Sequence, residues 1–158
     1  KTAYEIRPRD WSSDVCSSDL RDLTINTSSS SASGGNITPG TTTNAAGQYL
    51  GALTLNALGS SSANDGIIKL NSNIQVDPQS ARDAITIKSS DVRLNVSANT
   101  QFTFDTNVTA GNQAGNVNLS QATISGVNSG ITVTIDTSSS TDGRAGGIEL
   151  GGFSNAGG

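Results

Sequence analysis

The sequence has no histidine and no methionine, and only one cysteine and one tryptophan in 158 residues. Those absences remove whole classes of chemistry. Without imidazole there is no His general base, no Ser-His-Asp or Cys-His nucleophile system and no His-bearing zinc site. A lone thiol closes no internal disulfide. Aromatic residues make up 4% of the chain and charged residues 14%, with 9 Lys+Arg against 13 Asp+Glu for a formal charge of -4. A mildly acidic chain offers no basic surface to nucleic acid or an anionic membrane, so neither is expected as a partner. What is abundant is small and polar: 24 Ser, 18 Thr, 15 Asn and 18 Gly. The length suits one domain.

The rare residues are unevenly spread. Tyr4, Pro8, Trp11 and Cys16 fall in the first 20 positions, whereas every Gly and every Asn lies after residue 25. The stretch 1–20, KTAYEIRPRDWSSDVCSSDL, resembles the conceptual translation of a sequencing-library adapter. KTAYEI resembles the primer end, RPR spans the place of a variable index, and DWSSDVCSSDL resembles the constant part beside the insert. The stretch has neither the apolar core of a signal peptide nor a membrane span. Residues 1–20 are therefore read as a non-native segment and 21–158 as the biological chain. That chain has no Cys and no Trp, and 6 Lys+Arg against 9 Asp+Glu. Thiol chemistry is excluded along with imidazole.

Composition alone would suggest a disordered linker, but short apolar-polar-apolar triplets recur throughout. They are Leu23-Thr24-Ile25, Ile37-Thr38-Pro39, Leu53-Thr54-Leu55, Ile68-Lys69-Leu70, Ile85-Thr86-Ile87, Phe102-Thr103-Phe104, Val117-Asn118-Leu119, Val133-Thr134-Ile135 and Ile148-Glu149-Leu150. The distance from one start to the next is nearly constant along the whole series. In a strand the first and third side chains of a triplet share one face and the middle one takes the other. The middle residue is Thr in 6 of the 9, which predicts an apolar inner column and an outer Thr ladder. Asn, Asp, Gly or Ser usually follows, as at a turn. The regular step predicts an all-β parallel solenoid of about nine coils of 14–17 residues, with essentially no helix. A weaker series, at Ile74-Gln75-Val76, Val92-Arg93-Leu94, Val108-Thr109-Ala110 and around Ile124, predicts two strands per coil.

A longer repeat overlies the short one. LTINTSSS at 23–30 matches VTIDTSSS at 133–140, and GGNITPGTTTNAAG at 34–47 matches AGGIELGGFSNAGG at 145–158. A super-repeat of about 110 residues is therefore expected, its second copy beginning near 133, within a longer array. With units such as GNVNLS, GITVTID and AGGIELGGFSNAGG, residues 21–158 resemble the large repetitive bacterial surface proteins with filamentous-haemagglutinin-like or autotransporter-passenger β-helices. The resemblance implies a right-handed β-helix exported to the cell surface, in a non-enzymatic stalk or adhesive role. Its partners would be neighbouring repeats of the same chain and host or environmental glycans or surfaces, with no small-molecule cofactor. Coils in that family are usually longer than the step found here.

Two sharper readings compete. Calcium-binding β-rolls need a GGxGxD series, and the chain offers only Asn64-Asp65-Gly66, Asp142-Gly143 and AGNQAGN at 110–116. A carbohydrate-processing β-helix needs paired carboxylates. Asp105 and Asp136 follow their triplets equivalently, two coils and thus roughly 10 Å apart, with Ser120 between them. Few aromatics are present to stack a sugar ring, and Phe102 and Phe104 read as core. Neither pattern assigns a catalytic, cofactor-binding or metal-ligating residue, and no enzyme activity and no cofactor are expected. The sequons at Asn26, Asn36, Asn95, Asn107 and Asn118 arise readily in an Asn/Ser/Thr-rich chain. Arg82, Lys88 and Arg93 mix with Asp77, Asp83 and Asp91 as a solvated face.

Overall fold

The computed structural model describes residues 22–42, 49–78, 82–108, 113–139 and 144–154. The adapter-like segment 1–20 lies outside the described residues. Among those described are ten strands, one 3-10 turn at Ser62–Asn64 and no α-helix. The strands are β1 (Asp22–Asn26), β2 (Ala52–Asn56), β3 (Ile68–Leu70), β4 (Ile74–Gln75), β5 (Asp83–Leu94), β6 (Gln101–Asp105), β7 (Asn116–Gly126), β8 (Thr132–Asp136), β9 (Ile148–Glu149) and β10 (Gly152–Ser154). All pair in parallel with segments one turn of chain away. The chain is a parallel β-solenoid, the fold that the triplets predict.

Each full turn has three strand sides. On the first, Leu23, Leu53, Ile85, Val117 and Ile148 stack in one column. On the second, Ile37, Ile68, Val92, Ile124 and Phe153 do so. On the third, Leu50 lies over Val76, and Ile74, Phe104 and Ile135 stack beside Phe102 and Val133. β5 and β7 bend round the corner between the first two sides, which joins seven strands into one sheet; β4, β6 and β8 form a separate sheet.

The coil count corrects the sequence reading. The nine short coils expected from the triplets become about four turns, because one turn consumes two triplet steps. Leu53, Ile85 and Val117 are successive members of the first column, and the triplets that begin at Ile68 and Phe102 fall between them. Ile68 stands on the second side and Phe102 on the third. The strands per turn number three, not two.

The cause is that much of each step does not travel round the core. Between β2 and β3 the chain leaves at Ala57 and returns at Gly66, whose N–H donates to the Ala57 carbonyl at 2.7 Å. A loop whose ends touch adds residues to the step and nothing to the perimeter. Turn length varies accordingly: the contour from Ile68 to its partner Val92 is clearly shorter than that from Lys88 to its partner Gln121. The super-repeat gains a geometric meaning as well. β1 on the first side corresponds to β8 on the third, and Ile37 on the second side to Ile148 on the first. The copies thus differ by three turns and two further sides.

The interior is mostly apolar. Leu53, Leu55, Ile68, Leu70, Ile85 and Ile87 are fully buried. Phe102 and Phe104, both inward on β6, fill the third side with ring centroids 5.1 Å apart and planes tilted by 60°. Each such side chain contributes about 1.5–3 kcal/mol through its removal from water. The loops between second and third sides stack as the strands do. Asn99 (φ 55°) and Gly130 (φ 70°) take the same left-handed position in successive turns, and Asn128 Nδ2 donates to the Val96 carbonyl at 2.7 Å.

Inner and outer positions of one strand should therefore differ sharply in tolerance. Ile85→Ala should cost about 2–5 kcal/mol, and Thr86→Ala next to it about 0.5 kcal/mol. Chemical denaturation of the two variants measures the difference; equal costs would contradict the assignment of Ile85 to the core column.

Candidate functional site

The polar residues that leave the strands form a repeated structural device. Among the described residues five Asn or Asp side chains accept the N–H two residues on; Asn118 Oδ1 takes that of Ser120 (3.1 Å) at the bend of β7, and the other four stand at strand exits. Asn26 Oδ1 takes the Ser28 N–H (3.0 Å), Asn56 Oδ1 that of Leu58 (3.2 Å), Asp105 Oδ1 that of Asn107 (2.9 Å) and Asp136 Oδ1 that of Ser138 (2.9 Å). These are Asx turns, which carry the chain out of the strand. The next residue then clasps a glycine eight or nine positions later. Thr27 Oγ1 donates to the Gly35 carbonyl (2.6 Å), Thr106 Oγ1 to that of Gly115 (2.8 Å) and Thr137 Oγ1 to that of Gly146 (3.0 Å). The second loop has Ala57 where the others have Thr. There the Gly66 carbonyl takes the buried hydroxyl of Ser89 from the following turn instead, at 2.7 Å. The acceptor is satisfied either way, and at the buried Gly66 and Gly115 its desolvation demands it.

The glycines at these clasps stack on one another. A Cβ at Gly66 would stand 2.2 Å from the Gly35 carbonyl oxygen, and one at Gly146 would stand 2.0 Å from that of Gly115. Only hydrogen fits between the turns there. This pattern, Asn/Asp then Thr/Ala then Gly eight or nine positions on, is the signal that sequence reasoning missed. Its Asn26, Asp105 and Asp136 were visible as strand exits, but their glycine partners were not.

The structure corrects the placement of the carboxylate pair. Asp105 and Asp136 are direct partners on β6 and β8. They stand one turn apart rather than two, so their backbones are about 4.8 Å apart instead of roughly 10 Å. Ser120 is not between them; it lies on β7. Closeness does not make them an acid-base pair. Each caps its own turn, and the hydroxyl and N–H of Ser138, at 2.6 and 2.9 Å, hold the Asp136 carboxyl below its ordinary range. A general acid at neutral pH needs the opposite shift.

Asp65, the acid of the Asn64-Asp65-Gly66 turn, is likewise committed to protein donors. Its Oδ1 accepts the Gly59 N–H at 2.7 Å and its Oδ2 the Ser90 N–H at 2.7 Å, tying the second-turn loop to a corner of the third turn. Partial burial opposes its ionisation, but these N–H groups outweigh that and hold the carboxyl below its ordinary value. Among the described residues no three His, Cys, Asp or Glu side chains gather as a metal-binding group. Asp142-Gly143, residues 110–112 of AGNQAGN and Thr109 of the weaker strand series lie outside the described residues.

The face of mixed charge contains two bidentate ion pairs, one of them made with Asp22 from outside it. Arg82 bonds Asp22 at 2.9 and 2.6 Å, and Arg93 bonds Asp91 at 2.8 and 2.6 Å. The first is exposed and the second half-exposed, positions at which ion pairs add little to stability. Of the sequon asparagines, Asn95 and Asn107 use the nitrogen that a glycan would occupy. Asn95 Nδ2 donates to Asn71 Oδ1 and Asn107 Nδ2 to the Ser138 carbonyl, at 2.8 and 2.7 Å. Phe102 and Phe104 are core, as expected. What faces outward in order is a set of columns: Thr24, Thr54, Thr86 and Asn118 on the first side, and Thr103 and Thr134 on the third.

No protein-family model, no curated protein and no solved structure matches the chain.

Two outcomes test this reading of the polar groups. Gly66→Ala should destabilise the fold by about 1–3 kcal/mol through overpacking, while Gly40→Ala, with nothing within 4 Å of its Cβ, should be neutral in thermal melts. The Asp65 contribution is present above the ordinary carboxyl value of about 3.9 and disappears as pH falls through its lower folded value. Asp65→Asn should therefore be less stable than the parent at pH 6, with the two denaturation midpoints converging as pH falls below about 4. A gap that stayed constant down to pH 2 would rule out the carboxylate bonds.

Proposed function

We propose that the chain is a non-enzymatic structural segment, a stretch of stalk or adhesive rod belonging to a large repetitive bacterial protein exposed at the cell surface. The observation that carries this reading is that, among the described residues, the polar motifs at the corners serve the winding of the coil. The acids cap turns, the hydroxyls clasp loops, and the glycines let one turn approach the next.

The strand triplet is interchangeable among the three sides, since the super-repeat places its copies on different ones. An array of such units lengthens without altering its cross-section, which is what a stalk requires. It winds right-handed, as parallel crossovers almost always do. The outward Thr and Asn columns carry hydroxyl and amide groups at the spacing of the turns, and they suit contact with glycans or other environmental surfaces.

The test uses tandem proteins of one, two and three super-repeats. Three turns and two sides at about 4.8 Å per turn should add roughly 18 Å of length per super-repeat, read by small-angle scattering as a rod of constant cross-section. The same proteins should release no new reducing ends from a panel of polysaccharides. Turnover that is lost in Asp105→Asn or Asp136→Asn would replace the stalk reading with that of a glycan-processing enzyme.

A further inference from the structure

On the second side of the coil one outward column runs Thr38, Lys69, Arg93 and Ser125. Lys69 and Arg93 are direct partners on β3 and β5, Ser125 on β7 is the next partner of Arg93, and Thr38 follows Ile37, the partner of Ile68. Two cations thus stand one strand spacing apart, about 4.8 Å, an arrangement that costs stability unless an anion offsets it. Only half of it is offset. Asp91 gives both carboxylate oxygens to Arg93, at 2.8 and 2.6 Å, whereas the exposed Lys69 has no hydrogen-bond or ion-pair partner among the described residues. A column of amides stands beside the cations. Asn71 and Asn95 lie two positions after Lys69 and Arg93 and are both exposed. Asn95 Nδ2 donates to Asn71 Oδ1 at 2.8 Å, and the Asn71 Nδ2 donors have no acceptor among the described residues. This patch belongs to the second and third turns, with the strands of a further turn paired on either side of it.

We propose that this face binds an acidic polysaccharide with sparse carboxylates, lying along the rod axis with one uronate on Lys69. The inference rests on the adhesive part of the proposed function and names its ligand class. Charge decides first. Asp91 cancels Arg93, so the column carries one uncompensated positive charge, and its other members, Thr38 and Ser125, are hydroxyls. A nucleic-acid backbone or an anionic bilayer is held by a basic cluster, which a chain of net charge -4 does not offer. A polymer whose charged unit is flanked by neutral ones matches a lone ammonium flanked by hydroxyl and amide groups. Spacing decides next. An extended polysaccharide advances by about one strand spacing per sugar unit, so successive units meet successive turns.

Each group then has a role. Lys69 Nζ pairs with the uronate carboxylate, Asn71 Nδ2 donates to a ring hydroxyl or acetamido carbonyl beside it, and the Thr38 hydroxyl donates or accepts. Asp91 acts against the wrong ligand. It stands two positions before Arg93 on the same face of the strand, so a second carboxylate one turn beyond Lys69 meets a negative charge instead of a free cation. That repulsion favours polymers charged at every other unit over polymers charged at every unit. Arg93 is a second cation that its own neighbour keeps occupied.

The test uses the full chain at low ionic strength, where screening is weak, with binding read by titration calorimetry. Hyaluronan oligosaccharides, in which glucuronate alternates with a neutral acetamido sugar, should bind. Neutral chitin oligomers and polygalacturonate, charged at every unit, should bind more weakly. Lys69→Ala should weaken hyaluronan binding about fivefold, the factor that one exposed ion pair supplies. Lys88→Ala, the same loss of charge on the first side, should leave it unchanged, and Asp91→Asn should narrow the preference over polygalacturonate by freeing Arg93. All three substitutions fall on outward side chains, and circular dichroism checks that the coil is kept. No binding of hyaluronan, an equal loss in Lys69→Ala and Lys88→Ala, or tighter binding of single-stranded DNA than of hyaluronan would each overturn the proposal. Rod length and glycan turnover are measured without this ligand, so a rod that binds no acidic glycan overturns this inference and leaves the stalk reading standing.

Discussion

The structure depends on one constraint: successive turns must hydrogen-bond in parallel and in register. A strand here is short on most sides and cannot satisfy its own backbone groups, so each turn is completed only by its neighbours. Register follows from this. Once Leu53 is paired with both Leu23 and Ile85, the alternation of the strand puts every second side chain into the core and its neighbours outside. The columns and the ladders are both consequences of that pairing. Stability is then a sum of nearest-neighbour terms.

The corner loops show how such a coil absorbs extra residues without loss of register. A loop that leaves through an Asx turn and returns to a clasped glycine is invisible to the core, because its two ends meet where a short corner would have been. Its interior is then free to be Ser-rich and variable. The clasp is also tolerant in how it is met. Gly35, Gly115 and Gly146 each take a hydroxyl from within the same loop, whereas Gly66 takes one from Ser89 in the next turn. The requirement is physical, a loop-closing carbonyl that finds a hydroxyl donor, buried at Gly66 and Gly115, and no particular residue is required to supply it.

Several features were legible in the residues. The triplets announced strands, their outer Thr announced which face is wet, and the inward Phe102 and Phe104 announced core. The number of turns was not legible. The step between triplets measures contour length along the chain, while the perimeter of a turn depends on which parts of that contour fold back on themselves. The same gap explains the carboxylates. Asp105 and Asp136 stood two triplets apart in sequence, and with two triplets to a turn that is one rung, not two. Their role as turn caps became visible only when Asn107 and Ser138 were found donating to them.

The sequence by itself determined the parallel β-solenoid, through the strand alternation of short triplets and a spacing too regular for a sandwich. It also determined which side chains face the core, because alternation is a property of the strand wherever it lies. Only the tertiary structure decided which triplets share a column, and therefore how many sides and turns there are. Stacking partners are chosen by perimeter, and perimeter is set by contacts between residues such as Ala57 and Gly66 that no local pattern connects.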